Sequence, residues 1–258
     1  MSNDAILLHV ADGLARITLN RPERLNAVDP DAIRRWREIA DEVSRRDDIG
    51  AVLLDAAGRA FCAGGDLRAM SALAEASDEP PSATITALAD EIHAGHLLLR
   101  DSAKPIVAAV QGPAVGGGLG FMLVADVIVA SEDAVFQSGY ADVGLTPDCG
   151  VGWLLPDAVG ARRALELTLT SRRLTAVEAR EWGLVTEVVA ASALDGRALE
   201  IANGWLAGAT DAYGQAKRLI RAAAERTFAE SLDDEARTIG RAFATDAAQA
   251  RIAAFTRR

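Results

Sequence analysis

Two hydrophobic periods alternate along the chain. Residues 6–10 and 14–19 are short apolar-rich runs separated by Ala11-Asp12-Gly13, a pattern that predicts a hairpin closed by an Asp-Gly turn. Arg21-Pro22 ends it. Asp29 then offers a helix N-cap with Pro30 at the first helical position, and Ile33, Trp36, Ile39, Ala40 and Val43 follow at helical spacing. Residues 51–55 read as a buried strand. Ala56-Ala57-Gly58-Arg59 turns the chain into FCAGGDL, residues 61–67, a glycine loop ahead of a helix. The acidic, proline-bearing stretch 75–82, EASDEPPS, predicts a loop. A helix follows, with Ile85, Leu88, Ala89, Ile92, His96 and Leu99 on one stripe. A second buried strand, residues 105–110, breaks at Gln111-Gly112-Pro113. Three consecutive glycines, Gly116, Gly117 and Gly118, then lead into a helix over 119–125.

Beyond residue 126 the elements shorten. Residues 127–130 and 134–136 read as strands, and SGYADVGLTPDCG, residues 138–150, has the glycine and proline content of a functional loop. Trp153, Leu154 and Leu155 sit on a short helix. Residues 160–170 and 175–182 read as helices, the second opened by a capping box of Thr175 and Glu178. Residues 184–189 form the last strand. From Asp195 onward the alanine-rich pattern predicts roughly three helices. No linker or composition break marks independent domains. The division drawn is a core over 1–194 and a C-terminal helical region over 195–258, whose apolar faces suit packing on another subunit.

Strand, small-residue loop and helix start occur together twice, around 61–67 and 111–118. The first amides of a helix lack internal partners and carry the positive end of its dipole, and glycine lets a ligand approach the backbone closely. Such a device suits a phosphate, a carboxylate or an oxyanion that exists only during reaction, although tight packing alone would use the same glycines. The second loop lacks the lysine and Ser/Thr of a Walker loop. No acidic residue ends a following strand at the spacing of a dinucleotide fingerprint.

Composition narrows the choice. The 258 residues suffice for one large domain or two small ones, and with half of them hydrophobic and a quarter charged the chain reads as a soluble globular protein. A net charge of -10 without a basic tract argues against nonspecific nucleic-acid binding. No apolar run reaches ~18 residues, so no membrane-spanning helix is expected. The opening MSNDAILLHV lacks the basic n-region and cleavage signal of a leader, and a cytoplasmic location is expected. Cys62 and Cys149 follow no metal spacing and read as reduced thiols.

FCAGGDL at 61–67, PIVAAVQGPAVGGGLGFMLVAD at 105–126, GLTPDCG at 144–150 and LTAVEAREWGLVTEVV at 174–189 resemble, in order and separation, the successive signatures of the enoyl-CoA hydratase/isomerase (crotonase) family. The resemblance runs from RPERLNA at 21–27 onward. It implies an α/β fold, a crotonase-like spiral of repeated ββα units with a C-terminal helical region, assembled as a homotrimer or a dimer of trimers. It implies an acyl-CoA thioester as substrate, with no metal and no cofactor, CoA being part of the substrate. Two backbone N–H groups hold the enolate oxygen formed from the thioester, and on this chain they fall at Gly65 and Gly117. Ala63, Gly65, Asp66 and Leu67 match the stretch that meets the adenine end of CoA. Arg24 is placed for a CoA phosphate or for solvent. Ala27, Val115, Gly120 and Tyr140 complete the expected substrate-binding set.

The chain departs from the hydratases of that family, which position water with two glutamates. The first falls here at Gly120, which has no side chain, and the second at Tyr140. A single acid, Asp148 of TPDCG, stands where some relatives that isomerise acyl-CoA esters, or dehalogenate them with an aspartate nucleophile, also carry one. One acid suffices for a 1,3-proton shift, taking a proton from one carbon and returning it to another while the oxyanion hole holds the dienolate. An apolar surrounding makes a carboxylate a better base. Asp148 also precedes a short helix, so a capping role stays open. His93 falls roughly where the dehalogenases place an assisting histidine, or else it has no chemical role; His96 shares more of the apolar stripe. Tyr140 and Asp142 are expected to line the acyl pocket, and Asp126 and Arg162 to be structural. The sequence thus points to an acyl-CoA isomerase with Asp148 as acid/base. The alternatives are weak hydration, hydrolysis or dehalogenation through covalent attack by Asp148 with His93 assisting, and acyl-CoA binding without turnover.

Overall fold

The computed structural model describes residues 5–257; Met1 to Asp4, where the leader reading begins, and Arg258 lie outside the described residues. β1 (Ile6–Ala11) and β2 (Leu14–Leu19) form the predicted hairpin, with Asp12 and Gly13 both at positive φ as its tight turn requires. α1 (Pro30–Arg45) starts where expected: the Asp29 carboxylate accepts from the Ala32 amide at 2.9 Å. β3 (Ala51–Ala56) pairs parallel with β2. α2 (Leu67–Ala76) is capped by Asp66, and α3 (Pro81–Asp101) begins at Pro81. Half of EASDEPPS is therefore helix ends, with 77–80 between them. Its second proline opens a helix, since a first-turn proline gives up no helical hydrogen bond.

β4 (Ile106–Val110) lies beside β3, and the break at Gln111-Gly112 leads into a strand the pattern did not predict, β5 (Pro113–Val115). α4 (Gly117–Leu123) begins two residues earlier than expected, so Gly117 and Gly118 belong to its first turn. β6 (Val127–Ser131) pairs with β4, and β7 (Val135–Gln137) with β5. After α5 (Val151–Val159) and α6 (Ala161–Leu169), β8 (Leu174–Thr175) joins β7. α7 (Ala176–Trp182) carries the expected capping box, and β9 (Glu187–Val189) pairs with β6. The result is a six-stranded sheet in the order β1-β2-β3-β4-β6-β9 and a three-stranded sheet in the order β5-β7-β8.

The central strands are apolar on both faces because both are covered. Val52, Leu54, Ile106, Ala108 and Val110 point into the main core with Trp36 and Phe121. The alternate residues Leu53, Val107, Ala109 and Val129 meet Leu194, Ala198 and Ala202 of α8 (Leu194–Ala207). Among the described residues of the C-terminal region there are four α-helices, not three: α8, α9 (Thr210–Ala222), α10 (Phe228–Phe243) and α11 (Asp246–Thr256). Two threonine caps divide what the alanine-rich composition blurs. Thr227 forms a capping box with Glu230, and Thr245 accepts from the Ala248 amide. No helix among the described residues is long and apolar enough to cross a membrane.

Candidate active site

The first glycine loop is held by RPERLNA. Asn26 is buried in a left-handed backbone conformation; its Oδ1 accepts from the Arg21 amide at 2.7 Å and its Nδ2 donates to the Ala57 and Ala60 carbonyls, each at 2.8 Å. The Arg21 guanidinium pairs with Asp29 at 2.9 Å and Asp66 at 3.4 Å. The Ala63 amide donates to the Leu25 carbonyl, Val28 to Gly64, and Asp66 to Val28. These bonds fix both sides of Gly65 and leave its own N–H with no acceptor among the described residues.

The second loop packs on the first. Val115 donates to the Cys62 carbonyl at 2.9 Å, and Gly116, at φ +56°, donates to Gln137 at 3.1 Å. Gly117 is then the first residue of α4, where helical geometry supplies no acceptor for its amide. A Cβ on Gly64 would stand 3.3 Å from the Gly117 nitrogen, so the two free amides belong to loops in contact. The Cys62 thiol donates to the Asn26 carbonyl, and burial pushes its pKa up to about 12, which leaves it an inert structural group.

The 138–150 loop brings the titratable groups. The Tyr140 hydroxyl donates to Asp148 Oδ1 at 2.5 Å. Burial, with Cys149 and Asp148 alongside, pushes the Tyr140 pKa up, so the phenol stays a donor. The Asp148 carboxylate does not cap α5: Gly150 is the N-cap, and the first amide of the helix, Val151, donates to the Asp148 backbone carbonyl at 2.9 Å. The capping alternative therefore falls, and the carboxylate belongs to Tyr140. The Cys149 thiol stands beside Gly117, where an added Cβ would be 3.1 Å from Sγ. Burial first, and then Asp148, keeps that thiol protonated.

Gly120 explains why no glutamate stands at its position. A Cβ there would lie 2.2 Å from the Cys149 carbonyl oxygen and 2.5 Å from the Cys149 Cβ. The turn that delivers Asp148 fills the space where a side chain would start.

A cavity of about 230 Å³ gathers these parts. Ala63, Gly65, Leu67, Val115, Gly117, Tyr140 and Asp148 line it, and Asp148 is the only carboxylate among its described lining residues. Its walls are apolar, with Met70 from α2 and Ile85, Leu88, Ala89 and Ile92 from α3. The stripe on α3 reads in sequence as core; periodicity identifies a buried face but not whether protein or substrate covers it. Asp66 caps α2, Ala27 accepts from Arg21, Arg24 is exposed, and Gly120 lies under the Cys149 turn, so none of these four lines the cavity. Asp142 does not line it either, since its carboxylate accepts from Gln137 and Ser171. Asp126 holds Lys217 and Arg221, and Arg162 is exposed. His96 is a core histidine: the Trp36 indole donates to its Nδ1 at 3.0 Å, and burial takes its pKa down to about 3. His93 is not among the cavity's lining residues and lies behind the Cys149 amide, which donates to its Nε2 at 3.2 Å. No group of three or more His, Cys, Asp or Glu among the described residues is arranged to hold a metal ion.

Two unengaged amides and one carboxylate lining the same apolar cavity form an arrangement that can stabilise an oxyanion and move a proton. Residues 9–258 match the profile of the enoyl-CoA hydratase/isomerase family. The chain is 36% identical to a protein of Escherichia coli K12 named 1,2-epoxyphenylacetyl-CoA isomerase, over 89% of this chain and 87% of that one. It is 33% identical to 4-chlorobenzoyl coenzyme A dehalogenase-2 of an Arthrobacter species, over 92% and 85%. The crystal structure of an enoyl-CoA hydratase from a Polaromonas species superposes with a TM-score of 0.90 at 29% identity, covering 97% of this chain and 96% of that one. By profile, sequence and crotonase fold, the chain is an acyl-CoA-processing member of the enoyl-CoA hydratase/isomerase family.

Proposed function

We propose that the protein isomerises an acyl-CoA thioester by moving a proton along the acyl chain, with Asp148 as the acid/base and the Gly65 and Gly117 amides as the oxyanion hole. The observation that carries this reading is the single carboxylate among the cavity's described lining residues, hydrogen-bonded to the Tyr140 hydroxyl that stands 3.8 Å from where a Gly117 Cβ would be, together with the closed space at Gly120 where a second acid would stand. The thioester oxygen sits between the two amides. Asp148 takes a proton from one acyl carbon, the electron pair moves to the thioester oxygen as an enolate, and the same carboxyl returns the proton to a second carbon. Tyr140 directs the carboxylate through its hydrogen bond. Each oxyanion donor is worth about 3–4 kcal/mol of barrier. The reaction as written draws on no metal or further cofactor.

The isomerase named above supports this choice over hydration. A second reading, covalent attack by Asp148, is favoured by the likeness to the dehalogenase. One experiment separates them: 2-enoyl- and 3-enoyl-CoA esters are incubated in deuterated water with wild type and Asp148→Asn, and products are followed by mass spectrometry. Double-bond migration or deuterium incorporation in wild type, reduced about 10²–10⁴-fold in the variant while thioester binding persists, supports the isomerase. Unchanged turnover in the variant removes Asp148 from the mechanism, and a mixed anhydride of the acyl group with Asp148, formed as the CoA thiol leaves, establishes the covalent route. Binding without any turnover would leave an acyl-CoA-binding protein. The same proposal takes 195–258 as the region through which copies associate as trimers or dimers of trimers. The exposed apolar side chains of α10 support that role.

A further inference from the structure

We propose that His93 is a positioning residue: as a neutral imidazole it accepts the Cys149 amide hydrogen and so holds the turn that presents Asp148 to Tyr140 and Gly117. This rests on the reading of Asp148 as acid/base. Cys149 has φ +51°, a left-handed conformation that a residue with a Cβ keeps only where its surroundings over-determine it. Three contacts do so. The Val151 amide closes the turn onto the Asp148 carbonyl at 2.9 Å, Cys149 is seated on Gly120, and the Cys149 amide donates to His93 Nε2 at 3.2 Å. Only the last involves a group that titrates.

An N–H pointing at Nε2 requires the lone pair there, so the ring carries its proton on Nδ1. That lone pair is engaged with the backbone, and Nε2 is outside the lining of the cavity that holds Asp148. The geometry therefore fits a role through the turn, not a proton transfer of its own. Protonated, His93 would set one N–H against another, and the turn would lose its anchor. The charged and titratable groups around it come from three elements. His96 and Arg100 lie on α3, Asp148 and the Cys149 thiol on the turn, and Glu225, just after α9, lines with His93 a second cavity of about 340 Å³.

The test compares wild type, His93→Gln and His93→Ala from about pH 8.5 to about pH 5, the range over which imidazoles titrate. Two readouts are taken: amide exchange at Cys149, corrected for intrinsic rate, and deuterium incorporation into acyl-CoA. Wild type should lose Cys149 protection at least about tenfold on acidification, His93→Gln should keep it because its carbonyl accepts at every pH, and His93→Ala should lack it throughout. In turnover, His93→Ala should lose roughly 10–100-fold in kcat with KM little changed, as for a displaced catalytic group, whereas His93→Gln should recover most of kcat and lose the acid limb. The proposal is overturned if His93→Gln is as slow as His93→Ala with Cys149 protection intact, which would make the ring a proton carrier. It is equally overturned if protection ignores both pH and His93→Ala. The expected protection pattern with neither double-bond migration nor deuterium incorporation in any ester would sink the isomerase reading and leave the anchoring role standing.

Discussion

Gly120 governs the chemistry by what it excludes. The absence of a carboxylate is visible in the sequence, but the reason is the Cys149 backbone 2.2 Å from where a Cβ would be. Gly120→Ala should therefore destabilise the fold by about 1–3 kcal/mol, the usual cost of overpacking, read as a lower denaturant midpoint at unchanged m-value. Gly120→Glu should not gain hydration, because its side chain would have to displace the turn carrying Asp148; hydration of a 2-enoyl-CoA by that variant would show that the turn yields. Tyr140 shows the same limit from the other side. Its pocket position is legible in the loop, whereas its bond to Asp148, which also settles the capping question, depends on the loop's path.

Among the elements, the most informative contact is α9 on the core. Lys217 is buried, donating to the carbonyls of Lys104 at 2.8 Å and Leu99 at 3.3 Å and pairing with Asp126 at 3.1 Å. Gly214 lets the helix approach, since a Cβ there would meet the Ala103 carbonyl oxygen at 2.1 Å. Burial brings the Lys217 pKa down to about 8, against the opposing pull of Asp126. An ordinary lysine in the unfolded chain keeps its proton up to about pH 10.4, so between these values the unfolded chain binds more protons and rising pH stabilises the fold. Below pH 8 the burial penalty is present in full. The tyrosine and cysteine pKa values raised by burial act oppositely over the same alkaline range. The useful quantity is therefore the difference between wild type and Lys217→Met, which should shift in favour of wild type by at most about 3 kcal/mol from pH 8 to 10.5 in denaturant titrations. A pH-independent difference would mean that Lys217 keeps an ordinary pKa in the fold.

At the scale of the molecule, Phe228, Leu232, Ile239 and Phe243 recur along α10 at helical spacing and are all exposed, Phe228 at 79% and Ile239 at 71%. A contiguous apolar face of that kind marks a contact surface. If copies associate through it, Phe228→Glu with Ile239→Glu should yield a smaller species by sedimentation with unchanged circular dichroism; a wild-type monomer at working concentration would refute the assembly. The sequence by itself determined the local features: the Asp12-Gly13 hairpin, the Asp29 and Thr175 caps, the central strands, and the two glycine loops whose order carries the family. Those signals act within a few residues, through backbone hydrogen bonds and side-chain periodicity. The tertiary structure decided which groups meet. The pairing of Cys149 with His93 spans 56 positions, and β5 becomes a strand only because β7 lies beside it. Such contacts depend on the register of the sheets and the path of the loops between them. Loop 138–150 is therefore recognisable in the chain as a functional segment, while the direction of Asp148 is fixed only once α3, α4 and α5 have closed around it.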